Sequence, residues 1–333
     1  MYDWIEAAHQ LEGSEMGLLP QWLKRRINAL GVHSLMHAMN LMGRMGVPGE
    51  RTQTVVVHRN IPYAAGTQRA HRLDVHVPEL DRQGPVPVVF FVHGGGFTQM
   101  SKDTHWQFAR AFARRGFIVV SIDYPLAPEY PYPAAAQSAS LALRWTLEHI
   151  EAYGGDLDRL VLAGESAGAN VVTALTLAMI TQRREPWATA LFETGAVPRA
   201  VLPMCGLLQV SDPERFVRAG FPWYVTNPIR EASRAYLPEH LSQLTDHDLA
   251  DPVRTFERTQ TLERPLPAFF IGVGSRDPHA KDSFRLTDAL TPYGSPVEAK
   301  LYDGGVHSFM AFMWTAKAKR FWGDTFAFLD EVL

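Results

Sequence analysis

Short apolar runs that alternate with helical stretches constrain the fold of this chain more than any other feature. The run VPVVFFV, from Val86 to Val92, is apolar throughout, as expected for a strand buried on both faces of a sheet. A helical stretch over His105–Arg115, the strand FIVVSID, a second helical stretch over Ala134–Tyr153 and the strand RLVLAG follow it. The runs AVLPM, AFFIGVG and VEAKLY and a closing helix over Ala316–Leu333 continue the pattern. This alternation predicts an α/β fold in which helices cover a mostly parallel sheet.

Two parts of the chain depart from the alternation. Residues from Cys205 to about Arg264 form a long, proline-spotted, aromatic segment, which we interpret as an insertion. Near the start, apolar residues recur at helical spacing over Leu18–Met45. The basic run Lys24–Arg26 leaves a membrane-surface role open, but such a helix face more commonly packs on its own protein. We therefore predict N-terminal helices that pack on the same chain.

Composition narrows the functional classes. The chain has 333 residues, of which 46% are hydrophobic and 20% charged, so it can bury a large core. Its formal net charge of −3 offers no electrostatic case for nucleic acid. The single cysteine, Cys205, excludes an intramolecular disulfide, and His33 and His37 lack a third ligand, so we expect no metal site. The N-terminal stretch lacks a signal-peptide pattern and no segment is apolar enough to span a membrane, which predicts a cytoplasmic protein.

The stretch VLAGESAGANV, from Val161 to Val171, places a serine between a strand and a helix. It reads as a strand that ends at Ala163, a tight turn over Gly164–Gly168 and a helix that begins directly afterwards. The turn has the form G-x-S-x-G of a nucleophile elbow, whose small residues let it pass close to its neighbours. Ser166 is therefore the candidate nucleophile.

The elbow predicts two partners for Ser166, because a serine hydroxyl needs a base and the base needs an orienting group. In a sheet of this kind they follow on later loops, in the order serine, acid, histidine. Asp277 is the first carboxylate after the strand AFFIGVG, and His307 lies in the glycine-bearing loop after VEAKLY. Asp282, inside the following helix, and Asp303, close to His307 in sequence, are the alternative acids, and we favour Asp277.

The stretch FVHGGGF, from Phe91 to Phe97, follows a buried strand with three successive glycines. Such a loop can turn its N–H groups toward a substrate and lets the substrate approach closely. A phosphate-binding role would require G-x-G-x-x-G or a Lys-Ser/Thr pair, and the stretch has neither. We therefore predict that this loop supplies donors for the oxyanion of an acyl-transfer reaction.

Taken together, these segments resemble the hormone-sensitive lipase family of α/β-hydrolases, also called the bacterial family IV esterases. The matching segments are HGGGF (His93–Phe97), DYPLAPEYPYPAA (Asp123–Ala135), GESAGAN (Gly164–Asn170), DPHAKDS (Asp277–Ser283) and GVHSF (Gly305–Phe309). The resemblance covers roughly residues 50–333. It implies an eight-stranded α/β-hydrolase core and hydrolysis of carboxylic esters without a cofactor. It also implies that the N-terminal helices, residues 1–50, and an insertion at about 205–264 form a helical cap on a catalytic domain of residues 51–333.

The resemblance also implies roles for individual residues. Its catalytic triad is Ser166 as nucleophile, His307 as general base and acid, and Asp277 as the orienting carboxylate. Its oxyanion hole consists of the N–H groups of Gly95, Gly96 and Ala167, with His93 bracing the loop.

This chain departs from the family pattern at three places near these motifs. It has Pro125 where the family commonly has arginine, Glu165 where aspartate is frequent, and His279 in place of the leucine of a D-P-L segment. These changes leave the triad intact and put the contacts around it in doubt.

Aromatic residues near the motifs predict an apolar substrate pocket. Its candidate lining residues are Phe97, Trp223, Tyr224 and Phe309. A capped pocket without a lipid-facing stripe favours short- to medium-chain acyl esters as small-molecule substrates. An arylformamidase or another amidase on the same scaffold, or a non-catalytic ligand-binding protein, are the alternatives. The resemblance also suggests a homodimer through the last strand, near Val297–Tyr302.

Overall fold

The computed structural model of this protein describes residues 54–66, 68, 70–79, 84–239 and 248–333. The chain divides into two units, Met1–Gly46 and Val47–Leu333, and every described residue belongs to the second. The predicted helical segment Leu18–Met45 therefore lies outside the described residues. The assignment of residues 1–50 and 205–264 to a cap stays a prediction.

A single eight-stranded sheet runs through the described part of the chain, in the order β1-β2-β4-β3-β5-β6-β7-β8. Antiparallel pairing joins β1 to β2 and β2 to β4, and all other neighbours are parallel. The prediction of an eight-stranded, mostly parallel sheet is confirmed. The strands are β1 (Val55–Pro62), β2 (Arg72–Pro78), β3 (Val86–Val92), β4 (Ile118–Ile122), β5 (Gly155–Glu165), β6 (Ala200–Met204), β7 (Ala268–Gly274) and β8 (Val297–Tyr302).

Helices connect the parallel strands, as the alternating pattern predicts. The strands β3, β4, β6 and β7 are buried along their whole length because helices cover both faces of the sheet. The helices of the described residues are α1 (Trp106–Arg115), α2 (Ala134–His149), α3 (Ala167–Ile180), α4 (Pro186–Phe192), α5 (Glu214–Arg218), α6 (Trp223–Tyr236), α7 (Pro252–Arg258), α8 (Ala280–Leu290) and α9 (Ala316–Val332).

The turn at the centre of the sheet is tighter than the sequence predicts. Strand β5 continues to Glu165 rather than ending at Ala163, and α3 begins at Ala167. The strand is longer because Glu165 pairs with Met204 of β6, and the N–H of Ser166 donates to the Met204 carbonyl at 2.9 Å. Ser166 is therefore the only residue between the strand and the helix.

The predicted insertion contains three helices in its described residues, α5, α6 and α7. Helix α6 packs on the glycine-rich loop, where the rings of Tyr236 and Phe97 stack with centroids 3.6 Å apart. Within the described ranges, no helix combines the length and apolar character needed to cross a membrane.

Candidate active site

The carboxyl ends of neighbouring parallel strands bring four loops of the molecule to one edge of the sheet. Val92 at the end of β3 pairs with Gly164 of β5, and Gly274 at the end of β7 pairs with Tyr302 of β8. Because these strands run in the same direction, the loops that follow them meet at this edge. The predicted nucleophile, acid, histidine and glycine-rich loop all lie on these loops.

Ser166 occupies a strained backbone position at the start of α3. Its φ of 54° and ψ of −109° lie outside the regions that a side chain ordinarily adopts. The elbow can form because glycines flank it. A Cβ on Gly164 would lie 2.3 Å from the carbonyl oxygen of Gly168. A Cβ on Gly168 would lie 2.1 Å from the carbonyl oxygen of Val92. The G-x-S-x-G spacing thus follows from the packing of the turn.

The structure brings Ser166, His307 and Asp277 into one hydrogen-bonded line. The Ser166 hydroxyl lies 3.0 Å from Nε2 of His307, and Nδ1 of the same ring lies 2.9 Å from Oδ2 of Asp277. The second carboxylate oxygen of Asp277 accepts the backbone N–H of His279 at 2.8 Å. A nucleophile, a base and an orienting carboxylate have this arrangement.

The two alternative acids lie in other contacts. Asp282 is buried in α8 and pairs with Arg215 at 2.6 Å. Asp303 is exposed and accepts a hydrogen bond from the Ser275 hydroxyl at 3.3 Å. Asp277 is therefore the acid that the fold places against the His307 ring.

Burial and neighbouring charges oppose each other in setting the pKa values of this pair. Burial alone would raise the pKa of Asp277, but the charge and hydrogen bond of His307 hold it below its ordinary value. Burial alone would lower the pKa of His307, but the Asp277 carboxylate raises it above its ordinary value. Asp277 is consequently ionised, and His307 holds a proton more readily than an ordinary histidine does.

Glu165, which the sequence analysis treats only as a departure from the family pattern, connects the loops of the site. Its carboxylate lies 3.3 Å from Nε2 of His105, accepts the Ser308 hydroxyl and comes within 3.8 Å of Nε2 of His307. It also lies against the glycine-rich loop, since a Cβ on Gly94 would be 1.9 Å from its Oε2.

The carboxylate of Glu165 is buried, and burial alone would raise its pKa. The hydrogen bond with His105 and the charge of His307 nevertheless hold the pKa of Glu165 below its ordinary value. Glu165 therefore brings a second buried negative charge to the site. No local sequence pattern indicates this role, because its partners lie far away along the chain.

The glycine-rich loop adopts backbone conformations that favour glycine. The φ angles of Gly95, Gly96 and Phe97 are 108°, 60° and 63°. A Cβ on Gly95 would lie 2.2 Å from the carbonyl oxygen of Gln99. Ala167 lies across from this loop as the first residue of α3, where backbone N–H groups have no acceptor in the helix. The predicted oxyanion hole of Gly95, Gly96 and Ala167 stays a prediction.

His93 lies in the position that bracing of this loop requires. Its ring is buried, stacks on Tyr124 with centroids 4.2 Å apart, and has Nδ1 2.7 Å from the Gly94 carbonyl oxygen. The Tyr124 hydroxyl donates to the His93 carbonyl at 3.0 Å. Burial lowers the pKa of His93 to about 3, so the ring is neutral.

The four aromatic residues predicted to line a pocket are not brought together. Phe97 is fully buried against Tyr236, and Phe309 is buried in the core against Tyr302. Trp223 and Tyr224, at the start of α6, are exposed. A core aromatic and a pocket aromatic have the same sequence signature, so the sequence could not separate them.

His279 lies at the back of the triad. Its ring meets the His307 ring edge-on, with centroids 4.7 Å apart, and has Nδ1 3.6 Å from Oδ1 of Asp277. The His279 ring also packs against the ring of Phe216 in α5, with centroids 5.5 Å apart. Burial lowers the pKa of His279 to about 3, and the charge of His307 acts in the same direction.

Two groups of side chains among the described residues have the atoms and the spacing to hold a metal ion. One consists of Asp277, His279 and His307, and the other of Glu165, Cys205 and His307. Both contain the predicted catalytic histidine. Sequence spacing alone did not reveal either group, because its members come from different loops.

Comparisons with known proteins agree with the fold. Residues 89–311 match a family described by its α/β-hydrolase fold. An esterase of Mycobacterium tuberculosis, LipI, is 34% identical over 240 residues, which are 71% of this chain and 69% of that protein. The acetyl esterase of Salmonella typhi is 28% identical over 268 residues, 80% of this chain and 75% of that protein. The crystal structure of the esterase LipW from Mycobacterium marinum superposes with a TM-score of 0.70 at 25% identity, covering 91% of this chain and 90% of that one.

Proposed function

The chain belongs to the α/β-hydrolase family, in its hormone-sensitive lipase or bacterial family IV branch, and is a carboxylic ester hydrolase; on this premise we propose that it cleaves short- to medium-chain acyl esters with Ser166, His307 and Asp277. One observation carries the assignment of the residues. The His307 ring lies between the Ser166 hydroxyl, at 3.0 Å, and the Asp277 carboxylate, at 2.9 Å.

The first step is the attack of Ser166 Oγ on the ester carbonyl carbon. Nε2 of His307 takes the hydroxyl proton as the new bond forms, and Asp277 stabilises the imidazolium that results. The carbonyl oxygen becomes an oxyanion, which accepts hydrogen bonds from the N–H groups of Gly95, Gly96 and Ala167. Donors that are in place before the reaction need little reorganisation when the charge appears.

The second step releases the alcohol. His307 returns its proton to the leaving oxygen, the carbon–oxygen bond of the ester breaks, and the acyl group stays on Ser166. Water then attacks the acyl-enzyme and loses a proton to His307. His307 passes that proton to Ser166 Oγ as the bond between Oγ and the acyl carbon breaks, and the carboxylic acid leaves. The reaction balances with one ester and one water consumed and needs no redox partner.

The proposed acyl-length range has two supports. The insertion supplies helix α6, which lies over the glycine-rich loop and limits the room around it, since a Cβ on Gly96 would lie 3.0 Å from Cβ of Ala232. A relative that covers most of the chain is an acetyl esterase, an enzyme named for the shortest common acyl group. Trp223 and Tyr224, which are exposed, remain the aromatic residues proposed to contact the substrate.

The test is a series of p-nitrophenyl esters from acetate to palmitate, measured on the wild type and on Ser166→Ala. We expect turnover to peak at short or medium chains and to fall by about 10⁴ to 10⁶ in the variant, as in other serine triads. The remaining rate would come from the oxyanion hole and substrate binding. A peak at palmitate would contradict the acyl-length proposal.

The matched control is Ser295→Ala, at the opposite edge of the sheet, where the hydroxyl donates to the Leu266 carbonyl. We expect its ester hydrolysis to equal that of the wild type.

A matched ester and anilide pair separates the esterase from the two alternative functions, an amidase and a binding protein. Faster cleavage of the anilide would favour an amidase, and silence on both with stoichiometric ligand binding would favour a binding protein. A cytoplasmic location and a homodimer through Val297–Tyr302 also belong to this proposal.

A further inference from the structure

His279 has two buried polar atoms without a partner. Among the described residues, neither its Nδ1 nor its Nε2 makes a hydrogen bond, although the residue is only 4% exposed. A buried polar group without a partner is destabilising, because it has lost its hydrogen bonds to water. Such groups are rare in proteins, and both ring nitrogens of His279 are available to a ligand.

The surroundings of His279 contain two further groups that bind metals. The ligand atoms of Asp277, His279 and His307 all lie within 4.8 Å of one another. Nδ1 of His279 is 3.6 Å and Nδ1 of His307 is 2.9 Å from the Asp277 carboxylate. Two imidazoles and one carboxylate form a ligand set that suits zinc and its neighbours in the first transition row, in contrast to magnesium or calcium.

We propose that Asp277, His279 and His307 form a binding site for a divalent transition-metal ion of the zinc type, and that the bound ion switches off the catalytic triad. The three side chains supply one negative charge and two nitrogen ligands. The side chain of His307 is 35% exposed, whereas Asp277 and His279 are buried.

The inhibition follows from the single ring proton of a neutral imidazole. In the working triad this proton is on Nδ1 and is donated to Asp277, which leaves Nε2 free to accept the proton of Ser166. A metal ion bound at Nδ1 displaces the proton, which moves through solvent to Nε2, so the ring remains neutral and no electron is transferred. Nε2 then carries a hydrogen and cannot act as a base. This consequence rests on the proposed function, but metal binding itself does not.

The second group of potential ligands, Glu165, Cys205 and His307, is a weaker candidate. Glu165 accepts the Ser308 hydroxyl and lies 3.3 Å from Nε2 of His105, so its oxygens have partners, as those of Asp277 do. The Cys205 side chain is fully buried and lies 3.5 Å from Glu165. This group has no unpartnered ring nitrogen comparable to those of His279. Cys205→Ala therefore serves as the comparison variant.

Equilibrium dialysis against Zn²⁺ tests the site directly. Wild type, His279→Leu, His279→Gln and Cys205→Ala are stripped with a chelator, and circular dichroism verifies that each variant is folded. We expect wild type and Cys205→Ala to bind one more zinc ion per chain than either His279 variant, or to bind it at least about tenfold more tightly. Binding to other histidines, such as His33 and His37, is common to all four proteins. Co²⁺ in place of Zn²⁺ gives visible absorption bands that both His279 variants should lack.

A zinc titration of ester hydrolysis tests the inhibition, with each protein compared with its own metal-free rate. We expect the zinc concentration for half-inhibition to rise at least about tenfold in both His279 variants. Equal zinc uptake by all four proteins, no uptake by the wild type, or loss only in Cys205→Ala would overturn the site. Zinc uptake that depends on His279 without any ester hydrolysis in the wild type would sustain the site and contradict the proposed function instead.

Discussion

The His307 ring of the proposed triad has partners on both sides. Asp277 lies on the Nδ1 side, and Ser166 and the buried Glu165 carboxylate lie on the Nε2 side. The charge of Asp277 favours the protonated ring, as the raised pKa of His307 reflects. The rate of serine attack depends on the neutral ring, so it increases as the pH rises through this pKa.

Replacing Asp277 by asparagine separates orientation from charge. In Asp277→Asn the pKa of His307 should fall, because the opposite charge is gone, so the acid limb of kcat/KM should move to lower pH. The plateau should drop by about 10⁴, because an amide favours the wrong tautomer of the histidine. A pH profile of a reactive p-nitrophenyl ester measures both effects.

Asp303→Asn provides the control at the alternative acid. Its carboxylate is exposed and contacts Ser275, not His307. We expect the plateau and the acid limb of the wild type to be retained. If Asp303→Asn moved the acid limb and Asp277→Asn did not, Asp303 would be the orienting acid.

Among the secondary-structure elements, the junction of β5 and α3 depends most on exact residue size. Gly168 lies beneath the end of β3, where a Cβ would be 2.1 Å from the Val92 carbonyl oxygen. Gly323 in α9 offers the opposite case, since it is exposed and a Cβ there would meet nothing within 4 Å. The same substitution should therefore have opposite effects at the two positions.

We expect Gly168→Ala to lower the free energy of unfolding by roughly 1–3 kcal/mol, because backbone atoms must move apart. The shift of the elbow should also lower kcat by about 10²-fold, the effect of a displacement near 1 Å at a reacting atom. Denaturant unfolding and ester turnover on the same preparation measure the two effects.

Gly323→Ala should raise the free energy of unfolding by up to about 1 kcal/mol, the difference in helix propensity between the residues, and leave kcat unchanged. Equal unfolding midpoints for the wild type and both variants would mean that the close approach at Gly168 does not constrain the elbow.

At the scale of the whole molecule, an ion pair and a ring contact attach the insertion to the hydrolase core beside the proposed triad. Arg215 of α5 reaches Asp282 of α8 at 2.6 Å, and the ring of neighbouring Phe216 packs on His279. Asp282 is 2% exposed at its side chain, and Arg285 is its second cationic partner at 3.5 Å. The insertion is thus joined to α8, the helix that follows Asp277, the proposed orienting carboxylate.

Arg215→Ala leaves Asp282 buried with only the more distant Arg285. We expect the free energy of unfolding to fall by about 3 kcal/mol, the lower end of the range for a buried charge that loses its partner. Urea unfolding measures this change.

Arg218→Ala on the same helix removes an ion pair with Asp212 in which both side chains are exposed. Its effect should stay below about 1 kcal/mol, as for surface ion pairs in general. Similar losses in Arg215→Ala and Arg218→Ala would show that burial of Asp282 does not determine the strength of this attachment.

The features that the sequence by itself determined are those with a local physical cause. Apolar runs such as Val86–Val92 are buried strands because a strand covered on both faces admits few polar side chains. The spacing of Gly164, Ser166 and Gly168 specifies a tight turn, because a Cβ on Gly164 would lie 2.3 Å from the Gly168 carbonyl oxygen within the same turn. The order of strands along the chain was enough to choose the loops that carry Asp277 and His307, because parallel strands bring their carboxyl ends to one edge of the sheet.

Only the tertiary structure decided which distant polar groups become partners. Glu165 joins His105 and Ser308 from 60 and 143 residues away, and Arg215 joins Asp282 across 67 residues. Such contacts depend on how helices and loops pack, and no short sequence window contains both residues of a pair. The burial of Phe97 and the unpartnered nitrogens of His279 have the same origin, since burial is a property of the whole surrounding shell of atoms.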